Sequence, residues 1–123
     1  MAGERRRIRG SFFAPASADV GHGTWQPATD VYRTRDGWLV KFDLAGVRPE
    51  DIRVSVSGHD LTVQGTRRDW SLEEGCCQYR MEIAYSRFER RLTLPDSLER
   101  AHIGMEQRQG MLLVRIQLEG ESR

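Results

Sequence analysis

The residues of this chain equipped for chemistry are few: His22, His59 and His102, the adjacent pair Cys76 and Cys77, and one arginine, Arg90, set in an unexpected pattern. The histidines fall in three separate contexts with no ligand spacing between them, so turn or surface histidines account for them better than a metal site. Asp60 beside His59 reads as a turn before it reads as a catalytic pair. No Gly-x-Ser-x-Gly elbow occurs, and Gly21 and Gly23 lack the Gly-Lys-Ser/Thr that completes a phosphate loop. Cys76 and Cys77 could sense oxidants or link two subunits, but nothing near them in sequence would activate a thiol, and adjacency strains a mutual bridge. A redox enzyme built on this pair is the remote reading. The chain is expected to be no enzyme and to use no metal or cofactor.

Arg90 carries more information. In Arg87-Phe88-Glu89-Arg90-Arg91-Leu92-Thr93-Leu94-Pro95, a strand period of two puts Phe88, Arg90, Leu92 and Leu94 on one face and Glu89, Arg91 and Thr93 on the other. A charge therefore sits among core residues. Either its stem lies along apolar surface at a sheet edge with its head in water, or its guanidinium works at a subunit contact, where the planar fork can hold a carboxylate or backbone carbonyls. Pro95 ends the strand, because it cannot donate to a ladder.

The elements that must position these residues belong to one domain. A chain of 123 residues has room for a single core, and 19 basic against 18 acidic residues leave a net charge of +1, which implies no dominant nucleic-acid role. There is no apolar run long enough to span a membrane, the first thirty residues lack an apolar signal core, and Arg5, Arg6 and Arg7 are followed by no hydrophobic stretch. The expectation is a soluble, unexported protein in the cytoplasm, which also suits two cysteines that make no disulfide framework.

Residues 1–26 hold only scattered apolar side chains, Ile8, Phe12, Phe13, Val20 and Trp25, and read as a mobile arm. The Phe12 and Phe13 pair has no periodic partner, so it is either an anchor against the domain or a sticky contact for another chain. Residues 27–119 change texture to short alternating segments separated by turn residues, and residues 120–123 are a short tail. Strands are expected at residues 30–34, at Trp38, Val40, Phe42 and Leu44, at Ile52, Val54 and Val56, and at Leu61, Val63 and Gly65. Asp36-Gly37 is expected to supply the positive φ angles of a tight hairpin, and Gly58-His59-Asp60 and Gln109-Gly110 to turn the chain elsewhere. Residues 66–78 are charged and aperiodic, a long loop in which Trp70 and Leu72 are the only large apolar residues. Tyr79, Met81, Ile83 and Tyr85 then alternate with polar or small residues. A strand stranded after a long loop can leave its own domain and pair with a neighbour's sheet edge. The strand of Arg90 follows, then a helical turn over residues 96–100, a strand with Ile103 and Met105, and a last strand whose Leu112, Val114, Ile116 and Leu118 face inward. Eight short strands with regular turns point to an antiparallel β-sandwich.

The ordered set of motifs resembles the α-crystallin domain of the small heat-shock proteins. The residues that carry it are Asp30-Val31-Tyr32, Leu44-Ala45-Gly46-Val47 with Glu50-Asp51, Leu61-Thr62-Val63-Gln64-Gly65, Phe88-Glu89-Arg90-Arg91-Leu92 with Leu94-Pro95, then Ile103 and Gly110-Met111-Leu112. They span roughly three quarters of the chain. The resemblance implies an immunoglobulin-like β-sandwich and an ATP-independent holdase chaperone whose partners are unfolded client proteins and further copies of itself, with no nucleic acid and no membrane. It implies a homodimer of the bacterial and plant type, made by exchanging the strand with Tyr79, Met81, Ile83 and Tyr85, with Arg90 at the interface. It also implies that the groove between the strand of Ile52, Val54 and Val56 and the strand of Ile103 and Met105 takes clients or a C-terminal tail, while Phe12 and Phe13 touch clients. Three positions depart from the family pattern: Ala45 replaces the usual Pro, Ser86 the usual Gly and Met105 the usual Ala. The family's C-terminal Ile-x-Ile motif has only one similar triplet here, Ile116-Gln117-Leu118, inside the last strand, which leaves large oligomers in question and the groove open. The competing reading from another class is a β-sandwich adaptor or co-chaperone that binds one defined folded partner.

Overall fold

The computed structural model describes residues 24–69 and 73–119. Seven strands are present among them: β1 (Thr29–Arg33), β2 (Gly37–Asp43), β3 (Ile52–Ser57), β4 (Asp60–Arg67), β5 (Ser86–Thr93), β6 (His102–Arg108) and β7 (Met111–Gln117). They form two antiparallel sheets, one ordered β1-β2-β7-β6 and the other β3-β4-β5. The all-β sandwich expected from the strand pattern is what the chain adopts.

Strand alternation explains the core. Trp38, Val40, Phe42 and Leu44 point inward from β2 and the residues after it, Leu112, Val114 and Ile116 from β7, Leu61 and Val63 from β4, and Phe88 from β5; all are buried. Val47, Leu94 and Leu98, outside the strands, complete it. Each fully buried side chain of this size contributes about 1.5–3 kcal/mol of transfer free energy. The intervening positions, such as Asp43, Arg53, Ser55 and Arg115, are exposed, so a slip of one residue in any strand would exchange the two sets.

The turns partly depart from expectation. Gln109-Gly110 closes the β6–β7 hairpin with positive φ at both residues, 51° and 80°, the conformation a two-residue type I′ loop requires. Gly58, at φ 62°, does similar work between β3 and β4. Asp36-Gly37 does not: Arg33 pairs with Trp38 across a longer loop, and neither residue is left-handed. Gly37 is needed for another reason. It lies in β2 opposite Gln117, where a Cβ would collide with the carbonyl oxygen of Ile116. Residues 96–100 form no helix; a tight turn returns the Ala101 N–H to the Leu98 carbonyl at 3.2 Å. The loop expected from residue 66 begins later, because Thr66 and Arg67 still pair with β5 through Arg87 and Ser86.

The count of eight strands is also corrected. Residues 79–85 alternate as a strand should but form none within the chain, since neither sheet of the single chain offers them an edge that they occupy.

Candidate functional site

Two sheet edges and the segment between them hold most of the residues singled out from sequence. At the β5 edge, Arg90 lies on the core face as its parity required, directly opposite the buried Val63. Its Nη1 donates to the carbonyl of Pro27 at 3.1 Å. Pro27 is fully buried, so the guanidinium holds the point at which the chain enters β1. Arg91, on the other face, is exposed.

Sequence reasoning missed the rest of this edge. Trp25, assigned to the arm as a scattered aromatic, packs against the core. It forms a parallel bridge with Phe88: its N–H donates to the Arg87 carbonyl at 3.2 Å and its own carbonyl accepts from the Glu89 N–H at 3.1 Å. Its ring lies 5.3 Å from that of Phe88, and its Nε1 donates to the Ser86 carbonyl at 3.4 Å. Above the ring, 4.3 Å from its centre, sits the Arg67 guanidinium. Arg67 also donates to the carbonyls of Ala84 at 2.9 Å and Ala45 at 3.1 Å, tying the end of the long loop to the corner after β2. Burial lowers the Arg67 pKa and raises that of the nearby Tyr85. A lone aromatic without periodicity gives no hint of a partner distant in sequence; the strand-ending Arg67 was hidden among other charges.

Ser86 opens β5 with φ 83°, a left-handed conformation that costs a residue with a Cβ about 1–2 kcal/mol. Serine is thus accommodated here with strain that a glycine would not carry. Nearby, Arg68 grips Asp51 with two bonds of 3.0 and 3.1 Å, and this pairing raises the Arg68 pKa. The acidic pair Glu50-Asp51 is thereby tethered to the end of β4.

The segment between the edges is open. Tyr79 is 98% exposed, Ile83 60% and Met81 46%, while Tyr85 is half-buried beside a cavity of about 340 Å³ that Ile83, Arg67, Ala45 and Gly46 also line. At the far edge of the other sheet, β1 has no strand beyond it among the described residues. Val31 pairs with the buried Val40 and so faces inward, yet it is 42% exposed because that edge is uncovered.

On the opposite side, β3 and β6 are the remaining edges. Ile52, Val54, Val56 and Ile103 are half-buried and pack against the core, whereas Met105 is 58% exposed beside them. Ile116 is buried within β7 and Leu118 half-buried after it, so that triplet is engaged in the sandwich.

The chemically equipped residues do not converge. His59 Nδ1 lies 3.0 Å from the Leu94 carbonyl and serves a turn contact, while His102 is exposed at the start of β6. Cys76 and Cys77 are free and exposed, and the Cys76 thiol donates to the Glu73 carbonyl at 3.1 Å. Among the described residues no three His, Cys, Asp or Glu side chains gather as a metal site would need, and no helix is long and apolar enough to cross a membrane. His22, Phe12, Phe13, Trp70 and Leu72 lie outside the described residues.

The Hsp20/alpha crystallin family model matches residues 30–122. The chain belongs to that family. It is 35% identical over 101 residues to an 18 kDa heat shock protein of Streptomyces albus G, covering 76% of this chain and 68% of that one. It is 30% identical over 92 residues to spore protein SP21 of Stigmatella aurantiaca, covering 75% of this chain but only 54% of the relative. Among solved structures, hspA of Xanthomonas axonopodis superposes with a TM-score of 0.64 at 31% identity, covering 77% of this chain and 95% of that one. The small heat-shock family is one of ATP-independent chaperones and not of enzymes.

Proposed function

We propose that this chain is a small heat-shock holdase: it binds partly unfolded proteins through exposed apolar surface and keeps them from aggregating, in the cytoplasm, without nucleotide or cofactor. Family membership supports the chaperone role, and the observation that carries it to particular residues is Met105, 58% exposed beside the half-buried Ile52, Val54, Val56 and Ile103; the segment of Tyr79, Met81 and Ile83 also leaves large apolar side chains in solvent. A soluble protein does not leave such a stripe uncovered without use.

The same segment is the dimer element. Its alternation gives it the form of a strand, and the uncovered β1 edge of a second copy, with Val31 and Tyr32 exposed, offers unpaired backbone groups to receive it. Arg90 contributes to that contact from β5. Client segments lie in the seam flanked by Ile52, Val54, Val56, Ile103 and Met105, with Phe12 and Phe13 of the arm as additional contacts. Met105, larger than the family's usual Ala, widens the apolar surface there.

The test is aggregation of several unrelated heated clients at substoichiometric chaperone and without ATP. Suppression of all of them supports the holdase. Suppression of none, with tight binding to a single folded protein, overturns it in favour of an adaptor.

A further inference from the structure

The β5 edge is already paired, but with very little. Trp25 contributes one parallel bridge, two backbone hydrogen bonds and one ring on Phe88. Parity along β5 puts the backbone of Arg91, two residues beyond Glu89, on the same outward edge, and no backbone partner for it is present among the described residues. Beside the bridge lies a cavity of about 490 Å³ lined by Thr24, Gly65, Arg87, Phe88 and Glu89 among others. The occupant is separable from the domain: Gln26 is exposed, and the next residue, Pro27, is buried with its carbonyl held by Arg90. The β1 ladder with β2 starts only at Thr29, so it does not include this segment.

We propose that the outer edge of β5 is an acceptor for an extended segment of an unfolded client carrying an aromatic residue, and that Trp25 is its built-in, displaceable occupant. Trp25 itself shows the mode of binding. An incoming strand takes the Arg87 carbonyl and the Glu89 N–H, seats an aromatic ring against Phe88 beneath the Arg67 guanidinium, and extends along the unpaired Arg91 backbone. Main-chain bonds make the site tolerant of client sequence, and the ring position sets its preference. The inference rests on the holdase reading, and adds to it a second client surface, distinct from the β3 and β6 seam, that the arm controls by competition.

The experiment uses the full-length chain and a fluorescein-labelled peptide copying its residues 22–28, His-Gly-Thr-Trp-Gln-Pro-Ala. If the internal occupant leaves the edge free about a tenth of the time, Trp25→Ala binds the peptide roughly tenfold more tightly than the parent, and Trp25→Phe stays near the parent. Amide shifts on peptide addition should centre on Arg87, Phe88 and Glu89. Gln26→Gly, which loosens the hinge without touching the domain, should give the same shift pattern and a smaller gain, so the proposal remains testable should Trp25→Ala fold poorly. Equal affinities in parent and variants, or shifts confined to β3 and β6, would overturn it. Aggregation of reduced α-lactalbumin is followed in parallel: a parent that fails to suppress it counts against the holdase reading, while the peptide shifts still decide whether β5 is an acceptor.

Discussion

Two segments of this chain meet the same physical demand with opposite outcomes. Residues 24–26 have almost no strand pattern, yet they lie against β5 and satisfy part of its edge through Trp25. Residues 79–85 have a clear strand pattern, yet they join neither sheet of their own chain. Pairing follows from which edge is within reach, not from propensity alone. The contrast separates two kinds of segment: Trp25 covers part of an edge from within, whereas the alternating segment joins neither sheet and is the one we propose to pair with a second copy.

Changes at the closed edge should have the larger effects on stability. Arg90→Ala removes a charged donor from the carbonyl of the buried Pro27 and should cost on the order of 1.5–3 kcal/mol in urea unfolding. Arg91→Ala, on the exposed face, should change little, and Arg90→Lys should rescue only in part because it keeps the charge without the fork. Equal small effects at 90 and 91 would mean that the Pro27 contact does not matter. At the start of the same strand, Ser86→Val should lose about 1–2 kcal/mol, since a β-branched residue tolerates φ 83° worse than serine, and Ser86→Gly should raise the melting temperature slightly. A destabilised glycine variant would show that Ser86 is not strained. Arg68→Ala breaks a bidentate but half-exposed pair with Asp51, so a loss below about 1 kcal/mol is expected in the same assay. Smallest of all in stability terms, removing residues 1–23 should leave the melting temperature nearly unchanged while weakening aggregation suppression, because Phe12 and Phe13 leave with them. Unchanged suppression would place client binding in the domain alone.

Much of this was legible in the sequence, and the failures have a common cause. The parity of Phe88, Arg90 and Leu92 against Arg91 and Thr93 is a local property of one strand, and the structure keeps it. So are the faces of β2 and β7 and the Gln109-Gly110 turn. Gly37 was misread because Asp-Gly is a local turn signal, while its actual constraint is the Ile116 carbonyl of a strand far along the chain. Trp25, Arg67 and the Arg68–Asp51 pair were missed for the same reason: each is defined by a partner that no local period reveals. Residues 79–85 mark the converse limit: they alternate as a strand should, yet the single chain forms none there, because alternation alone supplies no neighbouring edge.

The most direct test of the central claim is the solution mass of the chain and of a variant lacking residues 71–85, measured by light scattering. The account predicts a dimer or a larger even assembly for the full chain and a folded monomer, with its melting temperature largely kept, for the deletion. A deletion variant that retains the dimer mass would contradict the exchange of Tyr79, Met81, Ile83 and Tyr85 between copies.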